Sequence, residues 1–140
     1  MIVDTSGLLA YFDPKDARHA AVRTIMAETR PPRILSPFVL AEADYLVSEC
    51  IGQHASLLLI EDVIRGAYRL EAFSPTDLAA ARAIMTRYAN LNVGLTDASL
   101  VVLADRFSTD EVLTLDERHF RTMRGMDGRA FRLLPADALP

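Results

Sequence analysis

The sequence predicts a three-layer α/β/α domain around a central parallel sheet of four to five strands. Three observations lead there. Short apolar, β-branched runs alternate with amphipathic helical stretches along the whole chain. Two Ser-Pro pairs, Ser36-Pro37 and Ser74-Pro75, place a capping hydroxyl and a proline where helices begin. Two strands, one reaching Asp4 and one reaching Asp116, end directly in an acid. Ligands of open parallel sheets sit beyond the carboxyl ends of the strands.

The first strand is Ile2-Val3, followed by a short helical turn over Gly7 to Phe12 that Asp13-Pro14 breaks. A helix covers Asp16 to Thr29 and stops at Pro31-Pro32. Arg33-Ile34-Leu35 forms the second strand, and Ser36-Pro37 opens a helix running to about Cys50 and stopping near Gly52. A further helix spans Ala55 to Arg65, and Tyr68 to Phe73 is the third strand. Thr76 to Tyr88 is helical, and Asn90 to Gly94 is a loop. Thr96 caps the helix to Phe107, with Leu95 and Leu100 as a hydrophobic staple. Glu111 to Leu115 is the fourth strand, Glu117 to Met123 a short helix, and Phe131 to Leu134 the last strand.

No repeat, low-complexity stretch or composition break divides the chain, so residues 1–140 read as one domain. Hydrophobic residues make up 51% of it, enough for a substantial core. A net charge of −4 argues against a wholly basic, non-specific nucleic-acid binder. It leaves room for a metal-dependent nuclease, in which bound cations offset a carboxylate pocket. Cys50 is the only cysteine, so no intrachain disulfide forms. The N-terminus lacks a basic signal region, and runs such as Leu57-Leu58-Leu59-Ile60 are far too short to span a membrane. The expected location is cytoplasmic.

Four acids invite a common role. Asp4 ends the first strand, Asp97 lies in the first turn of a helix, and Asp116 follows Val112-Leu113-Thr114-Leu115. Each also has an ordinary reading, as a cap or as a partner of the helix dipole. Glu42 shares a helix face with Phe38, Val39 and Leu46, which predicts a buried position. A buried Glu42 either serves the site or pairs with an arginine. Three or four carboxylates in one crevice repel one another unless a cation joins them. Oxygen-only ligands select Mg²⁺ or Mn²⁺ over zinc. His19, His54 and His119 are scattered and read as ordinary residues. Such a pocket suits phosphodiester hydrolysis, with two cations about 3.5–4 Å apart serving the attacking and leaving oxygens. Thr5, Ser6 and Thr114 supply hydroxyls to orient metal-bound water or a phosphate oxygen. Arg118, Arg121 and Arg124 crowd the stretch after Asp116 and form a candidate contact for flanking phosphates, or else a solvated face; Arg129 and Arg132 flank the last strand.

With these pieces assembled, the chain resembles the PIN-domain family, and within it the VapC-type toxins of bacterial toxin–antitoxin pairs. The matching stretches are Ile2 to Ser6, Ser36 to Leu46, Leu95 to Leu100 and Val112 to Phe120, in the family's order. The resemblance implies a Mg²⁺- or Mn²⁺-dependent endoribonuclease. It implies Asp4, Glu42, Asp97 and Asp116 as the catalytic, metal-binding acids, with Thr5 or Ser6 supporting the metal site. It also implies a homodimer and inhibition by a cognate antitoxin. The apolar surface around Tyr45 to Ile64 is a candidate for antitoxin docking, because Leu57 to Ile60 cannot all face one core from one helix; their burial between two layers is the alternative. Two competing readings are a phospho-acceptor receiver and a non-catalytic interaction module. A receiver needs a lysine at the end of a late strand, and the one lysine here is Lys15.

Overall fold

A computed structural model gives the structure of residues 1–138; residues 139–140 of the expected domain lie outside the described residues. The sheet contains β1 (Ile2–Val3), β2 (Ile34–Leu35), β3 (Arg69–Leu70), β4 (Glu111–Leu113) and β5 (Arg132–Leu134). Their order is β3-β2-β1-β4-β5, and all pairs are parallel. This is the expected parallel sheet, with five strands.

Around it run α1 (Thr5–Phe12), α2 (His19–Glu28), α3 (Pro37–Cys50), α4 (Gln53–Ile64), α5 (Pro75–Arg87), α6 (Leu95–Arg106) and α7 (Glu117–Thr122). The chain steps outward from β1 to β2 and β3, then crosses to β4 on the other side of β1. The strand order therefore reverses beside β1, which opens a crevice at the carboxyl ends of β1 and β4.

The core strands are buried on both faces: Ile2, Val3, Leu35, Val112, Leu113 and Leu133 have no exposed surface. That explains their continuous apolar sequence. Gly7 lets α1 settle onto the end of β4. A Cβ at Gly7 would lie 2.6 Å from the Leu113 carbonyl oxygen and 2.8 Å from its Cγ. The two Ser-Pro starts behave as expected. The Ser36 hydroxyl accepts from the Phe38 N–H at 3.2 Å, and Ser74 forms a full capping box with Asp77.

Several boundaries differ from the sequence reading. Helix α1 begins at Thr5, two residues before the expected turn. Helix α2 begins at His19, because the Asp16 side chain accepts from the Arg18 N–H and holds that stretch as a turn. Strand β3 keeps only Arg69 and Leu70, both exposed, as suits the edge of the sheet. Thr96 does not cap α6: Gly94 occupies that position without a side-chain bond, and Leu95 is already the first helical residue, so the expected staple is not formed. The start of the Asn90 to Gly94 loop belongs to a 3₁₀ turn, Ala89–Leu91. Among the described residues, no helix is long and apolar enough to cross a membrane.

Candidate active site

The four acids meet. Asp4, Glu42, Asp97 and Asp116 line one cleft of about 240 Å³ at the reversal of strand order, together with Thr5, Ser6, Leu9 and Leu46.

Asp4 is the most deeply set, 5% exposed. Its N–H extends the β1–β4 ladder to the Leu113 carbonyl at 3.0 Å, and its own carbonyl accepts from the Leu8 N–H at 3.0 Å. It thus occupies the N-cap position of α1, yet its side chain caps nothing. The carboxylate instead receives two hydroxyl protons on Oδ2, from Ser6 and from Thr114, each at 2.7 Å. Those hydroxyls are held in turn. Ser6 Oγ accepts from the Leu115 N–H at 2.9 Å, and Thr114 Oγ1 from the Asp116 N–H at 3.0 Å. The two hydroxyl oxygens are 3.2 Å apart, but each has only one proton, and Asp4 takes both. Burial pushes the Asp4 carboxyl above its ordinary range, assisted by the charge of Glu42 and opposed by the Thr114, Ser6 and Thr5 hydrogen bonds.

Glu42 corrects an expectation. It is exposed, because the buried stripe of α3 is Val39, Ala43 and Val47, not Phe38, Glu42 and Leu46. Glu42 and Leu46 instead form part of the cleft wall, and Phe38 stacks edge-on against Phe73. Among the described residues Glu42 has no arginine partner; its Oε2 accepts from Thr5 Oγ1 at 2.6 Å.

Asp97 stands in the first turn of α6, as the dipole reading required, and also in the cleft. Burial, and then the negative charge of Asp4, raise its carboxyl to about 6; His119 opposes the rise and Asp116 adds to it. Asp116 likewise combines two roles. It caps α7 by accepting from the His119 N–H at 3.4 Å, and it lines the cleft.

His119 is the residue that sequence reasoning missed. Its Nε2 donates to the Leu91 carbonyl at 3.1 Å, which fixes the ring. Its Nδ1 then lies 3.0 Å from Asp97 Oδ2 and 3.2 Å from Asp116 Oδ2. Neither approach has hydrogen-bond geometry, so this buried nitrogen is without a hydrogen bond. The available signal was its position three residues after Asp116, on the same helix face.

The donor set fits a hard divalent cation. It offers carboxylate and hydroxyl oxygens, with two carboxyls held above their ordinary range by burial and mutual repulsion. Among the described residues no three acids or imidazoles have closed on a single ligation point. Glu42 rests on Thr5, while Asp97 and Asp116 lean toward His119.

The three arginines after Asp116 are not equivalent. Arg121 is locked between Glu117 and Asp137, with Nη2 at 3.0 Å and 2.7 Å from their oxygens. Arg124 donates to the Arg121 and Met123 carbonyls. Arg118 is exposed and has no ion pair among the described residues. Lys15 lies on the exposed connection after α1, with its N–H on Asp13, so the lysine a receiver needs at a late strand is missing.

Comparison with known proteins gives a family and a fold. The model of the PIN domain family matches residues 1–125. The chain is 41% identical over 135 residues to Ribonuclease VapC26 of Mycobacterium tuberculosis (strain ATCC 25618 / H37Rv), covering 96% of this chain and 100% of that protein. The fold matches the crystal structure of Mycobacterium tuberculosis VapC20, described as a sarcin-ricin loop cleaving toxin. The TM-score is 0.78 at 21% identity, over 84% of this chain and 90% of that one.

Proposed function

The chain belongs to the PIN-domain family, and from that premise we propose that it is a divalent-metal-dependent endoribonuclease, the toxin of a toxin–antitoxin pair. The observation that carries this reading is the convergence of Asp4, Glu42, Asp97 and Asp116 on one cleft, from four separate parts of the chain. The four acids hold Mg²⁺ or Mn²⁺. When bound, such a cation supplies an acidified water and stabilises charge on the phosphoryl oxygens. The protein's own part is preorganisation. Ser6 and Thr114 keep the Asp4 carboxylate oriented, Thr5 holds Glu42, and His119 sets the spacing of Asp97 and Asp116.

RNA is the substrate, as the name of the 41%-identical relative suggests. Arg118 meets a flanking phosphate directly. Arg121 and Arg124 contribute only after exchanging their present carboxylate or carbonyl partners. The antitoxin docks on the α3–α4 surface, where Tyr45, Leu57, Leu58 and Ile64 are exposed while Leu59 turns into the core. The toxin works as a homodimer in the cytoplasm.

The test is cleavage of structured cellular RNA by the purified protein with Mg²⁺, with Mn²⁺ and with EDTA, beside Asp4→Asn and Asp97→Asn. Discrete cuts that need metal and vanish in both variants are expected. Metal-independent cutting, or cutting that survives both substitutions, would overturn the assignment.

A further inference from the structure

A second cleft, of about 430 Å³, adjoins the segment that leads from β4 to Asp116. The wall between the two clefts is the Thr114–Leu115 segment. Thr114 lines the second cleft, while its hydroxyl bonds to Asp4 in the first. Leu115 also lines the second cleft, while its N–H bonds to Ser6 in the first. The two clefts therefore flank one short stretch of backbone.

The lining suits a nucleotide. Ala21, Leu115 and Pro135 offer an apolar floor for the face of a base. Glu117 and Arg121, fixed to each other at 3.0 Å, place acceptor and donor groups at its edge. Arg121 has no charge to spare, because Glu117 and Asp137 both bind it. Arg18 does. It is exposed, stands at the N-cap of α2, and has no ion pair among the described residues. The volume falls within the usual range for small-ligand sites, roughly 300–1,000 Å³.

We propose that this cleft is a subsite for the nucleotide adjacent to the scissile bond, with its base on Ala21, Leu115 and Pro135 and its phosphate on Arg18. The assignment rests on the ribonuclease reading and adds to it a residue far from the acids in sequence. Arg18 is a binding residue, so its loss acts on KM and leaves kcat in place.

The experiment uses a single-stranded RNA that the wild-type protein cuts once in the presence of Mn²⁺. Cleavage kinetics are measured for wild type, Arg18→Ala, Ala21→Trp and Arg65→Ala. Arg65 serves as control, being an exposed arginine on the α4 side that pairs with Glu61. Binding is measured over a range of salt in the inactive Asp97→Asn background. Arg18→Ala raises KM about tenfold, the size of one charge-assisted contact, with kcat unchanged. It also reduces the slope of log K against log salt by about 0.7, one phosphate contact to a single strand. Ala21→Trp fills the floor and raises KM without lowering the melting temperature; Arg65→Ala changes nothing. If wild type cuts and both cleft variants match it in KM and salt slope, the subsite is refuted while the ribonuclease stands. If wild type cuts no RNA under any metal, both fall together.

Discussion

Replacing Asp97 by asparagine should make the metal-free protein more stable while removing its activity. Asp97 sits in the cleft with a carboxyl raised to about 6, first by burial and then by Asp4. Above pH 6 the folded and unfolded chains both hold this group ionised, and the folded state bears the whole penalty. As pH falls through 6 the folded protein takes up a proton that the unfolded chain does not bind until about pH 3.8. Stability from this group is therefore fully present below pH 3.8 and is lost as pH rises to 6. At about 1.4 kcal/mol per pH unit the penalty is about 3 kcal/mol. Partial solvent access reduces it to about 2 kcal/mol. Asparagine has the same shape and no charge. In EDTA at pH 7.5, Asp97→Asn should raise the melting temperature by roughly 4–8 °C. At pH 3.5 the two proteins should melt together. Saturating Mn²⁺ should reverse the order at pH 7.5, because wild type gains about 2.7 kcal/mol at a hundred times Kd and the variant gains little. An Asp97→Asn protein that melts at or below wild type in EDTA at pH 7.5 would refute the idea that the acids repel one another in the metal-free protein.

Thr114→Val keeps the shape of Thr114 but removes the proton given to Asp4 and the acceptor for the Asp116 N–H; denaturant unfolding should show a loss of about 2–3 kcal/mol, and Mn²⁺ binding by calorimetry should weaken. Thr114→Ser retains the hydroxyl and should restore cation binding. Gly7→Ala drives a methyl into the Leu113 carbonyl and should lower stability by about 1–3 kcal/mol in thermal unfolding, since α1 must lift off β4. Glu42→Gln touches an exposed side chain, so stability should stay within about 0.5 kcal/mol by denaturant unfolding. Its kcat/KM for RNA at fixed Mn²⁺ should fall roughly 10²–10³-fold, and a smaller loss would remove Glu42 from the metal-binding set.

Much of this site was legible because the sheet is parallel. Continuous apolar runs marked β1 and β4, and their carboxyl ends necessarily share an edge, so Asp4 and Asp116 could be placed together before any coordinates. Helix faces were harder to read. Both Phe38-Glu42-Leu46 and Val39-Ala43-Val47 have helical spacing, and only packing decides that the second row is core while Glu42 and Leu46 of the first are cleft wall. Thr96 carried a capping hydroxyl that went unused, because the chain had entered the helix one residue earlier. The spacing of His119 from Asp116 was visible, but not the Leu91 carbonyl that anchors the ring from 28 positions away. The basic character of Arg121 was visible, but not its capture by Asp137, 16 residues later. Long-range pairings of this kind have no local signature.

The central place of β1 has a consequence for synthesis. Strand β1, the middle of the sheet, is made well before its neighbour β4. The hydroxyl that orients Asp4 follows it by 110 residues. At ordinary elongation rates that delay is roughly 5–20 s. Throughout it the nascent chain bears Asp4, and in time Glu42 and Asp97, without the assembled cleft.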